Sequence, residues 1–270
     1  MGEPVNVPLN FDFPSLVSRL GLGIERAVAM VNLGYTASLD PSQELRQWPG
    51  SGIVFSFSGV DEPDVEKRFR TWLVTCGFRD LIEDFVLFLD TVHDFAAHLS
   101  LVEKQKAGVQ LIGQDYLDLT GRCQAFRQYG ISKKLSCLQG EHGVAIDRNV
   151  QDEIESINAA RNCLVHRGGV VGESDSRTIS WRRLILVWTG KRERELQIGD
   201  VSAGGEGVGI KTVRESKTFA LGERIAFLPI EFTGVGWGLF FAGQLFVNAL
   251  QQKFVALGGM LHASEKPSSA

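Results

Sequence analysis

Residues Ile157 to Val171 read I-N-A-A-R-N-C-L-V-H-R-G-G-V-V, and the fold turns on how this stretch begins and ends. Working back from it, Val150, Ile154, Ile157 and Leu164 recur at three- and four-residue steps and mark one buried helix face. Asp147 is a natural N-cap, with acidic Asp152, Glu153 and Glu155 near the positive helix start. Gly168 and Gly169 supply the C-terminal stop, so the helix should end near His166. At that end a polar triplet interrupts the apolar face. Asn162 and His166, four apart, share one stripe, and Arg161 lies about 100° to the side, within reach of the same spot.

Further upstream, Leu16, Val17, Leu20, Ile24, Val28 and Val31 predict a first helix. Thr36 to Glu62 contains W-P-G and the run I-V-F-S-F-S, and reads as a loop with one short strand. From Asp64 to about Leu101 the apolar steps are again helical, with Gly77 as the expected break into two helices. Helices over about Gln110 to Arg127 and Ile131 to Leu138 follow, separated by Tyr129-Gly130. Downstream of the central stretch the texture changes. Ile179 to Val187, Arg194 to Ile198 and Lys211 to Phe227 suit two or three strands of a small sheet, and Pro229 opens a last helix through Phe254. No internal repeat is evident.

This pattern predicts a mainly α fold. Residues 1–60 form an N-terminal helix and loop packed on the rest, 61–258 a helical domain with a β insert at about 170–227, and 259–270 a flexible tail. With 44% apolar and 22% charged residues, the composition is that of a globular protein. The net charge of -4 excludes a protein that coats nucleic acid by bulk positive charge, leaving a local basic cleft as the alternative. Cys76, Cys123, Cys137 and Cys163 lie far apart without a C-x-x-C pair and read as reduced thiols, not a zinc site or a disulfide framework. The start M-G-E-P-V-N-V-P has neither a basic region nor an apolar run, so a cytoplasmic location is expected. Phe232 to Gln252 carries no formal charge and is about long enough to span a bilayer. Its four glycines and its Gln and Asn residues favour a buried helix, and no membrane association is expected.

Arg161, Asn162 and His166 suit RNA cleavage by attack of a ribose 2′-hydroxyl on the adjacent phosphate. That reaction needs proton transfer and charge stabilisation but no metal and no cofactor. An imidazole exchanges protons near neutral pH, and a guanidinium can clamp a phosphate bidentately and stabilise the charge of the transition state. Asn162 would orient His166 or the substrate. The plain alternative is that an Arg and a His at a helix end merely cap carbonyls and complement the dipole.

The pattern of Arg161, polar Asn162, three mainly apolar residues, His166, a basic residue and glycines resembles the R-x4-6-H motif of the HEPN superfamily. In that family Asn commonly follows the Arg. The upstream I-S-K-K-L-S-C-L-Q-G followed by a capped helix is similar to the penultimate part of a HEPN bundle, and the resemblance covers roughly residues 64 to 255. It implies a HEPN-like helical bundle, dimerisation that brings two motifs face to face, and a ribonuclease toxin or phage-defence effector. The implied partners are RNA, a second copy of the chain, and an antitoxin or regulatory protein. The alternative within the family is a dimeric scaffold that binds a ligand or partner protein without catalysis; acidic residues around the motif would favour it. Two departures stand out. The insert from Val170 to Phe227 is longer than a minimal bundle allows, and Gly168 replaces the tyrosine that one toxin subgroup carries two residues after the His.

Arg167 directly follows the motif and is a candidate substrate contact. In the insert, Arg182 and Arg183 are further candidates, within a group that also holds Arg177, Lys191, Arg192 and Arg194 with Trp181 and Trp188 interleaved. They would hold an RNA backbone and stack a base, or else form an ordinary solvated strand face with the tryptophans turned to the core. His93 and His98 are five apart and lack the four-residue step of a helical metal pair, so they read as surface or interface histidines. Gly204 to Gly209 lacks the Lys-Ser/Thr of a phosphate loop and reads as a hairpin turn.

Overall fold

The computed structural model describes residues 11–36, 62–188, 193–195 and 208–259. The fold is mainly helical. Six helices, α1 (Phe13–Thr36), α2 (Glu62–Lys106), α3 (Gly113–Arg127), α4 (Ile131–His142), α5 (Arg148–Arg167) and α6 (Pro229–Ala256), frame strands β1 (Thr178–Trp188), β2 (Glu193–Glu195) and β3 (Val208–Thr218). The sheet is antiparallel in the order β2-β1-β3, with Arg182 opposite Arg214 and Trp181 opposite Glu215. The expected strand near Ile53 to Ser58, most of the glycine run 204–209 and the tail beyond Gly259 lie outside the described residues.

Gly77 does not break α2, which runs unbroken through it. A Cβ there would stand 2.5 Å from Val31 Cγ2 and 2.6 Å from Phe232 Cζ, so the glycine lets α1 and α6 approach α2. α6 uses its glycines in the same way on two faces. Gly234 and Gly238 meet Trp181 and the Arg182 backbone of β1, while Gly236 and Gly243 meet Ile24, Val28 and Leu20 of α1. Removing side-chain bulk from a helix permits close backbone approach, at the cost of helix propensity. Pro229 opens α6 and Glu231 closes its first turn, accepting a hydrogen bond from Leu228 N–H at 2.7 Å.

The core is continuous across these elements. Leu20, Ile24 and Val28 of α1, Phe78, Phe85 and Leu89 of α2, Ile154 and Ile157 of α5, Ile179 and Trp181 of β1, and Phe232, Leu239 and Phe246 of α6 are all buried in one cluster. Burial of each such side chain stabilises the fold by roughly 1.5–3 kcal/mol before entropy is counted. α2 and α6 are both long and apolar enough to cross a bilayer by length and composition, and half of each apolar window is buried inside the fold.

The strand prediction overreached at one end: β3 stops at Thr218, and residues 219 to 227 are not strand. They instead run back to the end of α5. Ile225 N–H donates to Gly169 O at 2.8 Å and Val171 N–H to Glu223 O at 2.9 Å, with a bridge between Val170 and Arg224.

Candidate functional site

α5 is fixed at both ends by the residues its sequence supplies. Asp147 caps the N-terminus, its carboxylate accepting from Asn149 N–H at 2.8 Å. At the other end Gly168 and Gly169 take φ of 61° and 78°, left-handed values that a side chain resists. That geometry turns the chain so that Gly168 N–H and Gly169 N–H both reach Cys163 O, the latter at 3.0 Å, satisfying a carbonyl that the helix end would leave open. The Cys163 thiol donates to Val170 O at 3.3 Å. With the bonds from residues 222 to 225, the last turn of α5 is held from three sides.

On this turn the polar triplet faces outward beside α2. Arg161 Nη1 donates to Asn162 Oδ1 at 3.1 Å. Its Nη2 lies 3.9 Å from Glu83 Oε1, and its Nε is buried without a hydrogen-bond partner. Glu83 in turn faces Arg79 at 3.5 Å. His166, one turn on from Asn162, is exposed and makes no hydrogen bond or ion pair among the described residues. Arg161 and Asn162 are thus joined directly, and His166 stands free on their stripe of the helix.

The other candidate contacts are placed differently. Arg167 is exposed and paired with Asp175, whose second oxygen accepts Gly172 N–H at 2.8 Å, so it braces the turn after the helix. Arg182 donates from Nε to Glu153 Oε2 at 2.9 Å, and Arg214 approaches the same carboxylate at 3.4 Å. Glu153 precedes His166 by thirteen residues, about 20 Å along the helix axis. Arg183 faces Glu215 at 3.1 Å, and Glu215 also accepts from Trp181 Nε1 at 3.2 Å. The structure therefore does not bring Arg182 and Arg183 to the triplet. Trp181 is buried, so on this strand the tryptophan faces the core. Lys191 and Arg192 lie outside the described residues.

Neighbours from two segments were not legible in the sequence. Glu83 and Arg79 come from α2, about eighty residues earlier, and only the packing of α2 on α5 reveals them. Arg224 reaches the end of α5 through its bridge to Val170, and its exposed side chain passes beside Gly169. No local signal marks either position.

His93 departs from expectation. It is 2% exposed, not a surface residue, because the α2 face that carries it is covered by α3 and α4. His98 is half-buried, its Nδ1 2.6 Å from Asp94 O. All four cysteines are free, with Cys123, Cys137 and Cys163 buried and Cys76 half-buried.

No family model, no curated protein and no solved structure matches the chain.

Proposed function

We propose that the chain is a metal-independent endoribonuclease of HEPN type. It acts in the cytoplasm as a homodimer and cleaves RNA at a site formed by paired Arg161-Asn162-His166 motifs. The observation that supports this reading is the incomplete bonding of the triplet. Arg161 has an unused, buried Nε and a loose pairing, at 3.9 Å, with the exposed carboxylate of Glu83. Such exposed pairs are worth at most about 1 kcal/mol, so a phosphate can displace the carboxylate at little cost. His166 has no competing partner among the described residues.

In the reaction, the ribose 2′-hydroxyl attacks the neighbouring phosphorus while the bond to the 5′-oxygen of the next nucleotide breaks. The products are a 2′,3′-cyclic phosphate and a 5′-hydroxyl end. His166 moves the proton, and Arg161 holds the phosphoryl oxygens as negative charge grows on them. Asn162, bonded to Arg161, sets the direction of the guanidinium. A toxin or phage-defence role, with an antitoxin or other regulatory protein as partner, follows from the family resemblance.

A second reading is favoured by Glu83. A carboxylate beside Arg161 reduces the pull on RNA, as expected of a HEPN-type dimeric scaffold that binds a ligand or protein without catalysis. The two separate on incubation of the purified protein with mixed cellular RNA in EDTA, beside His166→Ala and Arg161→Ala, with circular dichroism of each sample. Cleavage to 2′,3′-cyclic ends that persists in chelator and is lost in both folded variants supports the nuclease. A folded, dimeric protein that leaves RNA intact supports the scaffold.

A further inference from the structure

A second group of chemically capable side chains lies buried between α2 and α4. One ligand atom each from His93, Cys137 and His142 all fall within 4.8 Å of one another. The three residues are 2%, 9% and 5% exposed. His142 Nε2 is buried with no hydrogen-bond partner, and so is His93 Nδ1, whose nearest carboxylate is Asp94 Oδ1 at 3.8 Å. Buried polar atoms are nearly always paired, so two orphan imidazole nitrogens in one cluster call for an explanation.

The bonding around His142 fixes which of its nitrogens is free. Ser100 Oγ donates its proton to Ala96 O at 2.9 Å. Its 3.1 Å contact with His142 Nδ1 is therefore a bond in which the imidazole N–H donates. The proton sits on Nδ1, and the lone pair on Nε2 has no acceptor role in the protein. An outer hydrogen bond on one nitrogen and an open lone pair on the other is the arrangement of a histidine that ligates a metal. Stacking of His93 on Phe126, ring centres 3.9 Å apart, fixes the other ring.

We infer that His93, Cys137 and His142 form a structural site for a zinc-class divalent cation that ties α2 to α4. Sulfur and imidazole donors suit zinc, with bonds of about 2.0–2.3 Å. Ligand atoms around such an ion lie about 3.3–3.8 Å apart, a contraction from 4.8 Å within the reach of side-chain rotation. Three protein ligands leave the fourth position of a tetrahedral ion to a water molecule. A bound cation takes Cys137 as the thiolate, its proton passing to solvent.

An overlapping set, His93 with Asp94 and Cys123, is the weaker choice because Arg127 already holds the Asp94 carboxylate at 3.1 Å. The two sets differ in their cysteine, which makes them separable. Neither includes a residue of the Arg161 triplet, so the inference stands apart from the ribonuclease reading.

The test is a Co2+ titration of the full chain, stripped of metal and fully reduced, followed by Zn2+. The expected result is one equivalent of Co2+, with thiolate-to-cobalt absorption in the near ultraviolet that Zn2+ abolishes. Zn2+ should also raise Tm by about 5 °C or more, as tight binding to the native state alone requires. Cys137→Ser should lose the charge-transfer band and Cys123→Ser keep it. His142→Cys, which replaces one ligand by another, should keep and intensify it, giving a reading that does not depend on the Cys137 variant folding. Absence of the band in the wild-type protein, its survival in Cys137→Ser, or its loss in folded Cys123→Ser overturns the site.

Discussion

Two arginine-bearing groups lie on the same helix and behave oppositely. In the first half of α5, Glu153 is buried and receives both Arg182 and Arg214. In the last turn, Arg161 has one hydrogen bond within the triplet, a 3.9 Å approach to an exposed carboxylate and an unused Nε, and His166 has no partner among the described residues. Arg182 and Arg161 read alike in sequence, as basic residues suited to RNA. The difference lies in what is already spoken for: a cation committed to a buried carboxylate stabilises the fold, whereas one held loosely beside a free imidazole is available to a ligand.

The sharpest test of this contrast is catalytic. His166→Ala and Arg161→Ala should each lower the rate of RNA cleavage by about 100-fold or more, measured as release of 2′,3′-cyclic ends, with Tm nearly unchanged. Arg182→Ala should do the reverse. Leaving Glu153 buried with only Arg214 nearby should cost about 2 kcal/mol in denaturant unfolding, while the folded fraction cleaves at the wild-type rate. A cleavage defect in Arg182→Ala without loss of stability would break the comparison.

A smaller effect is expected where the helix ends. Gly168→Ala places a side chain at φ 61° and should destabilise by about 1 kcal/mol, with cleavage reduced because the last turn carries His166. Gly168→Asn, better tolerated in that conformation, should recover most of both. The smallest change is Glu83→Gln. Removing an exposed charge near Arg161 should alter stability by less than about 0.5 kcal/mol and leave cleavage equal or faster. A large fall in cleavage would show that Glu83 takes part in the chemistry.

Much of this was readable before the structure because local rules governed it. The Asp147 cap, the glycine stop after Arg167 and the Pro229 start of α6 are each set by a few adjacent residues, and each falls where the pattern put it. The triplet was legible for the same reason, since spacing on one helix fixes its shared stripe. What escaped depends on distant partners. Gly77 reads as a breaker until Val31 and Phe232 are seen to press on it. His93 reads as surface because α3 and α4, which cover it, lie tens of residues away. The pairing of Arg182 with Glu153 needs the docking of β1 on α5, where Ser180 N–H bonds Ser156 Oγ at 3.0 Å, and no sequence window contains both.

The glycine faces of α6 carry a consequence for synthesis. α1 packs on α2, but Leu20, Ile24 and Val28 also close against Gly236 and Gly243 of α6, more than 200 residues later. At about 5–20 residues per second a ribosome needs on the order of 10–40 s to deliver them. Throughout that interval the nascent chain displays an uncovered aliphatic stripe, a natural target for chaperones that bind extended apolar segments. The motif helix emerges within the same window, before the helix that completes the core.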